Sequence, residues 1–156
     1  GGSTGYDGYK KVKGNKLSAL VDRNGLPLVC TIFPANIHDS QLYEPTVEAF
    51  TIPEMQVHPS IISADVAYDV QKIRHYNRKR RIKSSIPTNP RSRVHLNRGR
   101  SHRFDPILYR ERGVIERFFS GIEVFKKIVP RYERYEHSFI GLIHLACAIM
   151  IWRVMG

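Results

Sequence analysis

Apolar residues are spaced in three ways along this chain, and each spacing predicts a different kind of element. Short apolar runs at 17–21 and 26–33 flank Asp22-Arg23-Asn24-Gly25. Asn-Gly between two such runs predicts a β-hairpin over 15–34, because both turn positions tolerate positive φ. The residues before it are rich in Gly and Lys, with a turn signal at Asp7-Gly8. After the hairpin, Asp39 or Ser40 can cap a helix running to about residue 50. A loop with two prolines leads to Ile61-Ile62-Ser63-Ala64, which reads as a buried strand ending at Asp65. A helix from about 70 to 80 and a short strand at 82–86 complete a strand–helix–strand unit over 60–86, a spacing that predicts a parallel crossover.

The second spacing is helical. Ile115, Phe118, Phe119, Ile122, Phe125 and Val129 follow the i, i+3, i+4, i+7 rule and predict one buried stripe on a helix over 107–129, stopped by Pro130. Tyr109, Arg112 and Glu116 fall on a different, polar face of it. Between the crossover and this helix, residues 87–106 carry Pro, Asn, Arg and Gly without periodicity. They read as a long basic loop, a length that in compact domains is often functional. The third spacing is a nearly continuous apolar segment, predicted as a closing helix over 137–155. His144 and Arg153 interrupt it and it is short for a span, so the expectation is a core helix and not a membrane one.

Charge changes this picture at one place. The chain has 156 residues and a net charge of +11. Residues 70–104 hold twelve Lys and Arg and no acid, whereas the remainder has 13 basic and 14 acidic residues. A local basic tract, here mostly Arg, is the usual footprint of contact with nucleic-acid phosphates, against the plainer reading of a solvated loop. Backbone affinity of that kind falls steeply with salt and reads no sequence. The two cysteines, Cys30 and Cys147, each in an apolar run, suggest buried free thiols in a reducing compartment. At 42% hydrophobic residues the composition supports one folded domain and excludes a disordered chain.

Two carboxylates stand out. Asp65 sits at the end of a predicted parallel strand, where α/β sheets usually place ligands. The plainer reading is a helix cap or turn residue in Asp-x-x-Tyr-Asp, a role that suits Asp69 better. Glu116 lies beside the apolar stripe. A solvated residue or an i−4 ion pair with Arg112, worth about 0.2–0.5 kcal/mol, is its plainer reading. The compound pattern Tyr109-x2-Arg112-x3-Glu116, with Arg117 and Phe118-Phe119, weighs for function.

These segments together resemble a family. An Ala-Asp-x-x-Tyr-Asp strand end and Tyr-x2-Arg-x3-Glu on a late helix are similar to the DDE transposases of the IS4/IS5 type. So are Asp7-Gly8-Tyr9-Lys10-Lys11-Val12-Lys13-Gly14, Leu20-Val21-Asp22-Arg23-Asn24-Gly25-Leu26-Pro27 and Ala35-Asn36-Ile37-His38-Asp39-Ser40, in the same order. The resemblance implies an α/β, ribonuclease H-like (retroviral integrase-like) fold, with a mixed sheet flanked by helices. It also implies two Mg²⁺ or Mn²⁺ ions held by Asp, Asp and Glu, and DNA cleavage followed by strand transfer. Asp65 matches the second Asp and Glu116 the Glu. Asp7 and Asp22 fit the first Asp poorly, so the resemblance implies a partial catalytic domain, 1–156, lacking its first strand and first ligand and inactive alone. Where the family often has Lys, this chain has Glu123, with Lys126 and Lys127 one turn on.

By the same resemblance, Lys11, Lys13, Arg78, Arg80, Arg81, Arg91, Arg93, Arg98, Arg100, Tyr109, Arg112 and Lys126 are candidate DNA contacts. Lys10 and Lys16 could equally be solvated, and His38 and Asp39 shape the turn into the helix. The implied partners are insertion-element ends and target DNA, handled by a homodimer in the cytoplasm, nucleoid-associated when bound, with no membrane and no small-molecule cofactor. Two other readings stay open: a non-catalytic nucleic-acid-binding remnant of a decayed mobile element, and a basic structural or ribosome-associated protein.

Overall fold

The hairpin forms, and it is longer than its apolar runs. Strands β2 (Val12–Val21) and β3 (Pro27–Pro34) pair antiparallel, and a short β1 (Gly5–Asp7) adds to the first residues of β2. The turn differs from the expected one. Gly25 has φ +89°, but Asn24 does not enter the positive region. The loop closes through Asp22 N–H to the Leu26 carbonyl at 2.9 Å. Asp22 Oδ1 also accepts the N–H groups of Asn24 and Leu26. Asp22 thus organises a three-residue loop whose last residue alone is left-handed, the usual longer alternative to the Asn-Gly turn. This computed structural model describes residues 4–9, 11–50, 58–90, 104–126, 128 and 135–155.

Helix α1 (Asp39–Phe50) begins where the sequence indicated, but its cap differs. Ser40 N–H donates to His38 Nδ1, while Asp39 pairs with Lys16 Nζ at 2.9 Å. Strand β4 (Ile61–Ser63), helix α2 (Gln71–Lys79) and strand β5 (Lys83–Ser85) form the expected parallel crossover, with Ile62 opposite Ser84. A turn of 3₁₀ helix, Val66–Tyr68, connects β4 to α2. The strands make two sheets among the described residues, one antiparallel (β1-β2-β3) and one parallel (β4-β5), and not the single mixed sheet expected.

Each sheet has its own core. Ile62, Ile73, Ile82 and Ile86 pack with Tyr43 and Val47 of α1 around the parallel pair. Cys30 and its strand neighbours pack with Phe118 and Ile122, and with Phe139, Ile143, Ala146 and Cys147. Helix α1 joins the two units. Its Thr46 hydroxyl meets Ser18 Oγ at 2.7 Å on β2 and Thr31 Oγ1 at 3.3 Å on β3. On its other side, Tyr43 shares hydrogen bonds with the fully buried Asn77, which also donates to Ser84 Oγ at 2.8 Å. The apolar stripe of the sequence is real: Ile115, Phe118, Phe119, Ile122 and Phe125 all join the first core.

The long helix expected over 107–129 is two helices, α3 (Pro106–Arg110) and α4 (Gly113–Glu123). Asp105 caps the first, accepting from Ile107 and Leu108 N–H, with Pro106 at its first position. The break falls just before Gly113, whose helix propensity is low. Val129 and most of the basic loop, residues 91–103, lie outside the described residues. The closing helix α5 (Glu136–Met155) is a core helix on one side only. Its mean hydropathy and length would suit a membrane span, yet Phe139, Ile143, Ala146 and Cys147 pack against the sheet side. The opposite side leaves Leu145, Trp152 and Met155 well exposed.

Candidate active site at the end of strand β4

Strand β4 delivers Asp65 to the edge of the parallel pair with extended backbone, φ −70° and ψ 165°. Its Oδ1 accepts the Val66 N–H at 2.6 Å and so caps the 3₁₀ turn. The cap role, which the sequence assigned to Asp69, therefore falls on Asp65. Capping uses one oxygen edge only, and the side chain remains half exposed.

Asp69 has a different task. Its Oδ1 meets Arg74 Nε at 2.6 Å, with both side chains almost wholly buried. Its Oδ2 accepts the Asn89 N–H at 2.6 Å, and Arg74 Nη2 donates to the Ile86 carbonyl at 3.1 Å. The pair fastens the β4–α2 turn to the segment leaving β5, which runs into the Arg-rich stretch.

The second half of the site arrives on α3 and α4. Tyr109 Oη donates to Asp65 Oδ1 at 3.3 Å, and Arg112 Nη1 lies 3.5 Å from Asp65 Oδ2. The Arg112 guanidinium stacks over the Tyr109 ring, 4.9 Å from its centroid, and Phe104 packs on the same ring. Burial raises the Tyr109 pKa and Asp65 adds to this, while Arg112 opposes it. The phenol therefore stays a donor at neutral pH. Arg112 turns to Asp65, so the i−4 pair with Glu116 weighed from sequence is not how it is used. Between α3 and α4 the backbone stays helical at Glu111 and Arg112, with i→i+3 bonds from Arg112, Val114 and Ile115 N–H. Glu116 follows, exposed, in the first turn of α4. A carboxylate there is favoured by the helix N-terminal dipole. Arg23 at the hairpin tip reaches Glu111 at 2.6 Å and buttresses this junction.

Asp65 and Glu116 offer hard oxygen donors of the kind a divalent ion takes. Among the described residues no group of three or more His, Cys, Asp or Glu could hold a metal. The donor type fits, and the number of protein donors is short of a full set.

Among the described residues, the candidate DNA contacts do not form one surface. Helix α2 runs back along β4, so its C-terminal end lies beside the Lys83 N–H to Ser60 carbonyl bond, at the opposite end of the strand from Asp65. Arg78 and Arg81 are exposed there, Arg81 with φ 59°. Arg80 is held by Glu48 at 3.0 Å and by the Tyr76 ring. Lys11, Lys13 and Lys126 are exposed, whereas Lys16 is spent on Asp39 and the Ile37 carbonyl. Tyr109 and Arg112 are the two that touch Asp65. Arg91, Arg93, Arg98 and Arg100 lie outside the described residues, as does Lys10. Asp7 and Asp22, the poorly fitting candidates, each turn an oxygen to local backbone N–H.

The family model described as Transposase DDE domain matches residues 1–151. A Brucella ovis protein provisionally named as a transposase for insertion sequence element IS6501 is 32% identical over 137 residues, 88% of this chain and 96% of that protein. A Burkholderia cepacia protein provisionally named as a transposase for insertion sequence element IS402 is 26% identical over 147 residues, 91% of this chain and 64% of its own length. No solved structure gives a significant match.

Proposed function

The chain belongs to the transposase DDE domain family, and from that premise we propose that it contributes Asp65 and Glu116 to a ribonuclease H-like catalytic domain of the IS4/IS5 type that cuts and rejoins DNA, and that with its donor set incomplete this chain is inactive on its own. One observation carries the assignment of residues. Tyr109 and Arg112, two turns and one turn before Glu116, both reach Asp65. These contacts support a reading in which the strand-end carboxylate and the helix carboxylate serve one site.

Asp65 and Glu116 would be protein donors to divalent metal, which when bound would supply activation of the attacking oxygen and stabilisation of the leaving oxygen in phosphodiester hydrolysis and strand transfer. The remaining chemistry belongs to the protein. Asp65 and Glu116 place oxygen donors on rigid elements. Tyr109 orients Asp65 by donating to Oδ1. Arg112 offsets the Asp65 charge in the free protein and stands one turn from Glu116, within the reach of a substrate phosphate. The exposed basic residues add backbone affinity without sequence preference. In this reading the protein acts as a homodimer on element ends and target DNA.

The test is Mn²⁺-dependent nicking of supercoiled plasmid, alongside Mn²⁺ titration calorimetry. Asp65→Asn and Glu116→Gln are each expected to weaken Mn²⁺ binding while leaving duplex binding intact, and the chain alone is expected not to nick. Nicking that survives both substitutions overturns the assignment. Salt-dependent duplex binding with no effect of Mn²⁺ on binding or cleavage supports the non-catalytic nucleic-acid-binding reading instead.

A further inference from the structure

Cys30 and Cys147 read in the sequence as two unrelated buried thiols. The fold brings them together. Their Sγ atoms are 3.5 Å apart although 117 positions separate them in the chain. Both are buried and unbridged. Cys30 lies on β3 and Cys147 on α5, and the two elements are pinned at this level by a second contact. His144, one turn before Cys147, donates from Nε2 to the Cys30 carbonyl at 3.2 Å. An open groove lined by Cys30, His137, Ile140 and His144 reaches the pair from the Cys30 side.

The pair is asymmetric. The contact with Cys147, and burial after it, push the Cys30 thiol up, while the same contact holds Cys147 below the usual thiol value. Either sulfur can donate to the other across this contact. A disulfide needs an S–S distance of about 2.05 Å, so the sulfurs must approach by about 1.5 Å.

We propose that Cys30 and Cys147 form an oxidative modification site, at which a hydroperoxide entering the groove joins them in an intramolecular disulfide that ties β3 to α5. One of the two sulfurs, as its thiolate, attacks a peroxide oxygen. The O–O bond breaks, the released oxyanion takes a proton, and that cysteine becomes a sulfenic acid. The other sulfur, 3.5 Å away, then attacks it. The S–S bond forms, the S–O bond breaks, and hydroxide leaves with the second thiol's proton as water. Two thiols lose two electrons, and the hydroperoxide gains them. This chemistry does not depend on the reaction proposed at Asp65.

The experiment uses the whole chain, which has these two cysteines and no others. Protein treated with hydrogen peroxide is unfolded in iodoacetamide, weighed intact, and digested without reductant. The expected result is joint loss of both alkylatable thiols, a mass lower by two hydrogens, and a linked peptide pair containing Cys30 and Cys147. Dithiothreitol is expected to reverse all three. Thiols that stay alkylatable, sulfinic or sulfonic acids without a linked pair, or linkage only between chains each overturn the proposal. Cys147→Ser is expected to lose the two-hydrogen mass shift after the same treatment. The unsubstituted protein decides the matter even if that variant does not fold.

Discussion

Arg74 Nε lies 2.6 Å from Asp69 Oδ1, and neither side chain has more than a tenth of its surface in water. Removing one member strands the other as a buried charge. Asp69→Ala is expected to cost about 3–5 kcal/mol of stability. Urea denaturation followed by circular dichroism measures it, and a loss under about 1 kcal/mol would show that the pair is hydrated in solution.

Tyrosine burial makes stability pH-dependent at the alkaline end. Burial pushes the pKa of Tyr43 up, and that of Tyr68 with it; Asp39 and Asp65 add to the shift at Tyr68. An unfolded tyrosine ionises near about pH 10. Above that pH the unfolded chain releases protons that the folded chain keeps, so stability is full below it and falls as pH rises. Denaturation midpoints at pH 9 and 11 are expected to differ in that direction. Tyr43→Phe should flatten the slope. It should also cost about 1–3 kcal/mol at neutral pH, because the buried Asn77 amide loses a partner.

Arg112 and Asp65 are each more than a third exposed, so their ion pair contributes at most about 1 kcal/mol. Arg112→Ala is therefore expected to leave the denaturation midpoint nearly unchanged. Its effect should appear in cation binding, since it removes a positive charge beside Asp65. Mn²⁺ affinity measured by calorimetry is expected to rise. An unchanged Mn²⁺ affinity would show that Arg112 does not compete for the Asp65 oxygens.

Gly25 separates backbone strain from crowding. A Cβ there would meet Val114 at 3.6 Å, an ordinary contact, but φ is +89°. Gly25→Ala is thus expected to cost roughly 1–2 kcal/mol through backbone conformation alone. Urea denaturation checks it, and an unchanged midpoint would mean that the hairpin loop holds another conformation.

The sequence was most informative where one local rule governs. The hairpin, the crossover around Ile62 and Ile73, and the stripe of Ile115, Phe118 and Ile122 follow from alternation and helical spacing, and the structure reproduces them. Asp65 was legible as a strand end. What pattern reading missed are partnerships formed across the chain. Nothing near Asp69 announces that Arg74 will bury against it and that Asn89 N–H will join them. Asn77 looks like a surface helix residue until Tyr43 and Ser84 enclose it. The break before Gly113 was hidden because the apolar stripe begins only at Ile115, beyond it, and so is silent on the residues before. Division of the strands into two sheets is a property of long-range pairing, on which period-2 patterns are silent. The apolar composition of α5 suggested burial all round, whereas the fold covers one side of it.

Trp152 is the chain's single tryptophan, and it sits on that uncovered side with 76% of its surface in water. The protein therefore carries a built-in optical probe in an unusual place. Indole emission reports the tail of α5 and is nearly blind to melting of either core, which circular dichroism must follow instead. Conversely, any molecule that settles on this end of the helix announces itself as a blue shift, with no label attached.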